Sequence, residues 1–280
     1  MEQHSITRVL KLVLKYALLV ILCAIIMGPV LTAVLGSLRT TGEFLTEPFG
    51  LPEGEWQWQH YTGILGGSAF WQALKNSVLI TIGVVALNVS LASMLAFAFS
   101  RLRFRGRHLF FNILSVGLLF PLTVAILPIF IQIRQFGLID SLWGVILPLV
   151  AFELPKSTII LRSFFIAIPE ELEDASYIDG CTTFGFFRYV LLPMARPALT
   201  AVAVLEVIAA WNEYFLPLLV LNEDDLWPLP LGIMQFQGQF GTDWSRVMAY
   251  VTLLIIPAVI FYIFTEKYIV TGLTGGELKG

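Results

Sequence analysis

The feature that most limits how this chain can fold is a set of six long apolar stretches, at residues 16–37, 76–99, 109–132, 142–165, 198–221 and 246–269. Each has about the ~20 residues that an α-helix needs to cross a ~30 Å hydrocarbon core. Charges lie mostly between the stretches. Apolar residues make up 57% of the chain and charged residues 13%, against roughly 45–50% and ~25% in soluble domains. A soluble fold of 280 residues could not hide that much apolar surface. Lipid is therefore the expected solvent, and the expected class is all-α, a polytopic membrane bundle of six transmembrane helices. The fourth stretch is the weakest, because Glu153, Pro155 and Lys156 interrupt it. Counting five spans instead would strand the later loops on the wrong side.

Arg8, Lys11 and Lys15 precede the first stretch, as in a secretion signal. However, Tyr16 to Leu35 is longer than such a signal's apolar region, and Gly28-Pro-Val-Leu-Thr32 is not a clean small-residue cleavage site. An uncleaved first helix is expected. With the N-terminus inside, Arg8, Lys11, Lys15, Arg101, Arg103, Arg105, Arg107, Arg162, Arg188, Arg196, Lys267 and Lys279 are all cytoplasmic, twelve of the seventeen cations. This follows the positive-inside rule and makes both termini cytoplasmic. The outer connections are comparatively acidic or neutral, notably Asn222-Glu-Asp-Asp225, with only a few cations such as Arg39 and Arg134. A net charge of −3 with scattered cations leaves no basic face for nucleic acid. Cys23 and Cys181 lie in different environments, so neither a disulfide nor a metal site is expected. No repeat or long linker divides the chain, which reads as one membrane unit over 1–280. The outer segment 38–74, with Trp56, Trp58, Tyr61 and Trp71, reads as an interfacial aromatic belt or, alternatively, as a partner contact.

Residues 168–198 form a long cytoplasmic loop that reads as two short helices. Pro169 suits a first helical position, Glu170, Glu171 and Glu173 favour the positive N-terminal end, and Asp179-Gly180 makes a stop. Thr182 or Thr183 can cap the second helix, which is expected to end at Pro193. Leu172, Ala175, Ser176 and Asp179 share one face of small and apolar residues that can enter another protein's cleft. Gly180 permits a turn that a side chain would obstruct.

Glu173-Asp-Ala-Ser-Tyr-Ile-Asp-Gly180, followed by Val190-Leu-Leu-Pro193, resembles the EAA loop of ABC importer permeases. Asp174, Ala175 and Ser176 fall on E-A-A, Gly180 on the glycine, Val190 on the isoleucine and Leu192-Pro193 on the closing L-P. The resemblance implies a type I importer transmembrane domain, with its core over 76–270. It assigns contact with the ATPase to Glu173, Asp174, Ala175, Ser176, Asp179, Gly180, Leu192 and Pro193. It also implies an ABC ATPase dimer that binds ATP and Mg, a Walker motif being absent here, while this chain binds no cofactor of its own. The other implied partners are a second permease subunit on a different chain and a solute-binding protein, periplasmic or lipid-anchored, at a bacterial or archaeal cell membrane. Trp211-Asn-Glu-Tyr-Phe-Leu-Pro217, Phe236-Gln-Gly-Gln-Phe-Gly-Thr-Asp-Trp244 and the tail from Thr271 to Gly280 look like the carbohydrate-importer branch, of the maltose-permease type. Sugar is the leading substrate, and a polyol or glycerol phosphate is the non-sugar alternative.

In the fifth stretch Glu206, Ala209, Ala210, Glu213 and Pro217 follow a helical spacing, making one stripe of acids and small residues. Ionisable groups at membrane depth face protein or water, so this stripe, with Asn212, is a candidate substrate path that accepts bonds from sugar hydroxyls. On the other reading Glu206 pairs with Lys156 to hold helices together, and Asn212 and Glu213 sit at the outer interface. Glu153 and Lys156 can pair with each other at i, i+3. Gln235, Gln237, Gln239 and Trp244 are candidate contacts for the binding protein, or belong to a simple surface loop. No H-E-x-x-H or G-x-S-x-G is present, and His4, His60 and His108 lie far apart, which sets an enzyme aside. An ion-driven carrier or channel draws support from Glu153, Lys156, Glu206 and Glu213, but the coupling loop argues against it.

Overall fold

The computed structural model describes residues 2–238 and 241–274. The helices among them are α1 (Glu2–Ser37), α2 (Thr41–Thr46), α3 (Gln59–Gly66), α4 (Ser68–Ser100), α5 (Arg107–Val116), α6 (Leu122–Gln135) and α7 (Leu142–Ala167). They continue with α8 (Glu170–Ile178), α9 (Thr183–Phe186), α10 (Leu192–Met194), α11 (Arg196–Trp211), α12 (Phe215–Val220) and α13 (Trp244–Thr274). A two-strand hairpin pairs Gln237 with Thr242 and Gly238 with Gly241. Packing divides the chain into two compact units, Met1–Ser68 with Ile233–Pro257 and Ala69–Gly232 with Ala258–Gly280.

Four helical stretches are long and apolar enough to cross a membrane unbroken: Lys11–Ser37, Ser68–Ser100, Leu142–Ala167 and Trp244–Glu266. Among the described residues two further candidates exist only as bent pairs, each a broken span or a re-entrant turn: Arg107–Leu119 with Leu122–Gln135 at 105°, and Thr183–Met194, from the loop at 168–198, with Arg196–Trp211 at 75°. The six-span expectation holds when each pair counts as one span, but the expected continuous third helix over 109–132 does not form. Pro121 has no N–H to continue the ladder, and its ring drives Phe120 to an extended φ of −96° and ψ of 109°. The expected fifth span over 198–221 also divides, because α11 stops at Trp211 and α12 restarts at Phe215. The second span begins earlier than expected, at Ser68, so Trp71 lies on a helix rather than in the outer segment.

In the first unit α1 is exposed on every side over residues 11–27, with Leu14 at 70%, Val20 at 67% and Ile26 at 69%, while its last turns, with Ala33 and Ser37, are buried. A helix apolar on every face is suited to lipid. The segment after it is tied by Arg39, whose guanidinium donates to the carbonyls of Glu43, Glu47 and Gly50. Trp56 and Trp58 remain exposed. Thr41 donates to the Asp243 carboxylate at 2.8 Å, and that carboxylate accepts from the Arg246 amide at the start of α13.

In the second unit helices meet where side chains are small. A Cβ on Gly83 would lie 2.8 Å from the terminal Cδ1 of Ile146, so glycine lets α4 approach α7 without displacing that methyl. Lipid is as apolar as leucine, so such packing and interhelical hydrogen bonds hold the spans together. The loop ends are sorted by contact. Arg101 bonds to the carbonyls of Phe165 and Ile168 at one end of α7, while Asp140 accepts from the Asn222 amide at the other. One buried core, including Phe97, Phe165, Phe186 and Leu191, continues directly into the 168–198 loop.

Candidate functional site

The loop after α7 is built from local signals. Pro169 stands at the N-cap with three glutamates in the first turn of α8, and the helix ends at Asp179. Gly180 follows with φ +85°, a left-handed conformation that side chains disfavour. Thr182 then caps α9 by accepting from the Gly185 amide at 3.1 Å. The second helix does not end at Pro193: a π-helical turn over Phe187–Leu191 leads into Leu192–Met194. A widened turn ahead of Pro193 accommodates the missing N–H.

The expected outward face of α8 is divided. Leu172, Asp174, Ala175 and Asp179 are exposed, but Ser176 is buried and donates to the Glu173 carbonyl. Glu173 also turns inward, pairing with Arg101 at 3.4 Å and accepting from the Tyr177 hydroxyl at 2.9 Å. Burial, aided by the Glu173 carboxylate, raises the Tyr177 pKa, so the hydroxyl stays a neutral donor. Leu192 is half-buried and Pro193 exposed. Ile178 was missed by the sequence reading; it is 86% exposed and is the most open large apolar side chain of α8. The outward surface of the helix is therefore Asp174, Ala175, Ile178 and Asp179 around the Gly180 turn.

The second constellation lies along α7. Lys156 is in ion-pair contact with Glu153 on its own helix and lies 3.5 Å from Glu206 on α11. Ser157 donates to the same Glu206 oxygen at 2.9 Å. Glu206 is fully buried, and its Oε2 has no partner. Both pairings weighed from the sequence are thus present at once.

A cavity of about 210 Å³ opens beside this cluster, lined among others by Gly117, Phe120, Glu153, Lys156, Ala210 and Glu213. Its walls include the break between α5 and α6. Non-helical backbone at membrane depth is tolerated where it lines a cavity or is buried in protein, and discontinuous helices mark transporter sites. The single acidic stripe expected on the fifth helix is not formed, because α11 ends at Trp211. Glu213 reaches the cavity from beyond the break and caps α12, accepting from the Leu216 amide at 3.0 Å. Glu206 stands behind the lining, and Asn212 is exposed with its amide donating to the Ile208 carbonyl. The Phe120-Pro121 pair was the available signal for the break.

Gln235 and Gln237 are exposed beside the hairpin, as is Trp244 at the start of α13. Gln239 lies outside the described residues. The half-buried Trp227 has its indole N–H committed to the Leu221 carbonyl.

With this geometry in view, residues 88–269 match the family described as binding-protein-dependent transport system inner membrane component. The chain is 35% identical to the trehalose/maltose transport system permease protein MalG of Thermococcus litoralis, over 100% of both chains. It is 31% identical to the diacetylchitobiose uptake system permease protein NgcG of Streptomyces coelicolor, over 95% of this chain and 88% of the relative. In fold it resembles a chain of a bacterial ABC transporter involved in the import of the acidic polysaccharide alginate, with a TM-score of 0.79 at 24% identity, covering 91% of this chain and 95% of that one. A broken span beside a cavity that carries Glu153, Lys156 and Glu213 suits a transport component, and this multi-pass membrane protein belongs to the family of binding-protein-dependent transport system inner membrane components.

Proposed function

We propose that this chain is a carbohydrate-translocating permease subunit of an ATP-driven importer, with α8 as the element that docks on a separate ATPase. The observation that carries this reading is the continuity of α7. It bears Glu153 and Lys156 at the cavity and runs, through Ile168 and Pro169, directly into the exposed helix α8. A push on α8 therefore has a direct route to the polar site. The arginines gathered at the same end as the loop support a cytoplasmic position for it, by the positive-inside rule.

Sugar as cargo is supported by the trehalose/maltose and diacetylchitobiose relatives and by the donor set of the cavity. Glu153 and Glu213 accept hydrogen bonds from hydroxyls. Lys156 is already held by two carboxylates, which leaves little cationic pull for an anionic solute. The cavity, at about 210 Å³, falls short of the ~300–1,000 Å³ usual for small-molecule sites. That supports a path completed by a second permease subunit. Gln235, Gln237 and Trp244 are proposed contacts for the solute-binding protein, and ATP and Mg belong to the ATPase dimer. ATP binding there would drive α8 and open the path outward, and hydrolysis would return it inward.

The test is uptake of a labelled neutral oligosaccharide into vesicles holding the permeases and ATPase, with binding protein outside and ATP inside. Uptake requiring both ATP and binding protein is expected. Uptake driven by an ion gradient without ATP would overturn the proposal and favour a secondary carrier.

A further inference from the structure

Arg101 follows the last turn of α4, and Arg162 lies near the end of α7. Each caps the other's helix. Arg162 Nε donates to the Phe99 carbonyl at 3.1 Å, and Arg101 Nη2 donates to the Phe165 and Ile168 carbonyls at 2.7 Å and 2.5 Å. The last carbonyls of a helix lack intrahelical partners and form the negative end of its dipole, so two cations here satisfy both ends reciprocally. The Arg162 guanidinium also lies 4.1 Å from the centre of the Phe111 ring. Arg101 has a further arm: its Nη1 reaches the Glu173 carboxylate at 3.4 Å in the first turn of α8.

We infer that Arg101 is a positioning residue that locks α8 to the ends of α4 and α7, so that the Ile168–Pro169 junction is a rigid corner rather than a hinge. An exposed ion pair would carry little weight. Here the Arg101 side chain is 4% exposed and that of Glu173 17%. The two carbonyls that Arg101 holds belong to the buried residues Phe165 and Ile168. A planar guanidinium fork reaches these acceptors together; a lysine ammonium cannot match that geometry. Motion applied to α8 is then delivered to α7, and with it to Glu153 and Lys156. This inference rests on the reading of α8 as the ATPase-docking helix, and the experiment separates the two.

In the intact transporter, with Cys23 and Cys181 replaced by serine, spin labels are attached at the exposed positions Ser163 of α7 and Glu171 of α8. Arg101→Gln is expected to broaden the label distance distribution and to lower solute moved per ATP hydrolysed by roughly ten-fold, with Arg101→Lys between it and the parent. An unchanged distribution in Arg101→Gln would overturn the clasp. A broadened distribution with transport per ATP unchanged would overturn the link from clasp to coupling while leaving the docking role of α8 in place; loss of ATPase copurification in the parent with its labels at α8 tests that role separately. Should Arg101→Gln fail to assemble, Glu173→Gln leaves both carbonyl bonds intact. It is expected to broaden the distribution less, and no broadening would again overturn the inference.

Discussion

The two polar clusters on α7 use charge in opposite ways. At the loop end, Arg101 and Arg162 meet helix carbonyls and Glu173, so their charges satisfy groups that the helix ends leave open. At the cavity, the two carboxyls of Glu153 and Glu206 gather around the one ammonium of Lys156, and the buried Glu206 keeps an oxygen without a partner. The first cluster stabilises a corner of the fold. The second costs stability, since ionisable groups at membrane depth are expensive. The contrast shows that a charge on a membrane helix is interpretable only once its partners are known.

The sharpest way to break this contrast is Lys156→Met, which leaves Glu206 and Glu153 without their cation. A loss of roughly 3 kcal/mol is expected, at the low end for an unpaired buried charge because the Lys156 side chain is 36% exposed. Thermal unfolding of the purified complex measures it; an unchanged midpoint would mean that the cluster is not held by Lys156.

Gly180→Val attacks the loop end. A Cβ would meet nothing within 4 Å, so the penalty is conformational only, from φ +85°, on the order of 1–2 kcal/mol. The protein should insert normally yet lose ATPase copurification or ATP-driven uptake. Full transport by this variant would remove the coupling role of the turn.

Glu213→Gln sharpens the cavity side. The amide oxygen can still cap α12 but bonds a sugar hydroxyl without charge assistance, a loss of about 1 kcal/mol. Half-saturation for uptake should rise several-fold. If neither this variant nor Glu206→Gln alters uptake, the cavity is not the path.

The smallest effect is expected at Asp140, in the turn before α7. Its carboxylate accepts from the backbone amides of Asn222 and Glu223, which lowers its pKa below the ordinary 3.8. A lowered folded pKa contributes stability that is fully present above the ordinary carboxylate range and is lost as pH falls through the lowered value. Hydrogen exchange at the Asn222 and Glu223 amides, corrected for intrinsic rates, should accelerate only below about pH 4. In Asp140→Asn that pH dependence should vanish.

The loop at 168–198 was legible because its signals are local: Pro169, three first-turn glutamates, the Asp179-Gly180 stop and the Thr182 cap each act within a few residues. The broken spans were less so. Phe120-Pro121 announces one break, but an apolar count over 109–132 passes across it, and at the end of α11 the local cue is Asn212, a cap-favouring residue inside a run that stays apolar on both sides. The inward turn of Ser176 and Glu173 was not legible either, since helical spacing shows which residues share a face but not which face meets the core.

By itself, then, the sequence determined the solvent, the number of apolar blocks and the exposed loop with its glycine turn, all properties of runs or of neighbours in the chain. Only the tertiary structure decided that Glu206 and Glu153 share one lysine, that Glu213 reaches the cavity from beyond a break, and that Arg101 holds the helix carrying Asp174 and Ala175. Apart from the i, i+3 contact of Glu153 with Lys156, those pairings span tens of residues. They depend on where helices end and which faces they turn to one another, which no local spacing records.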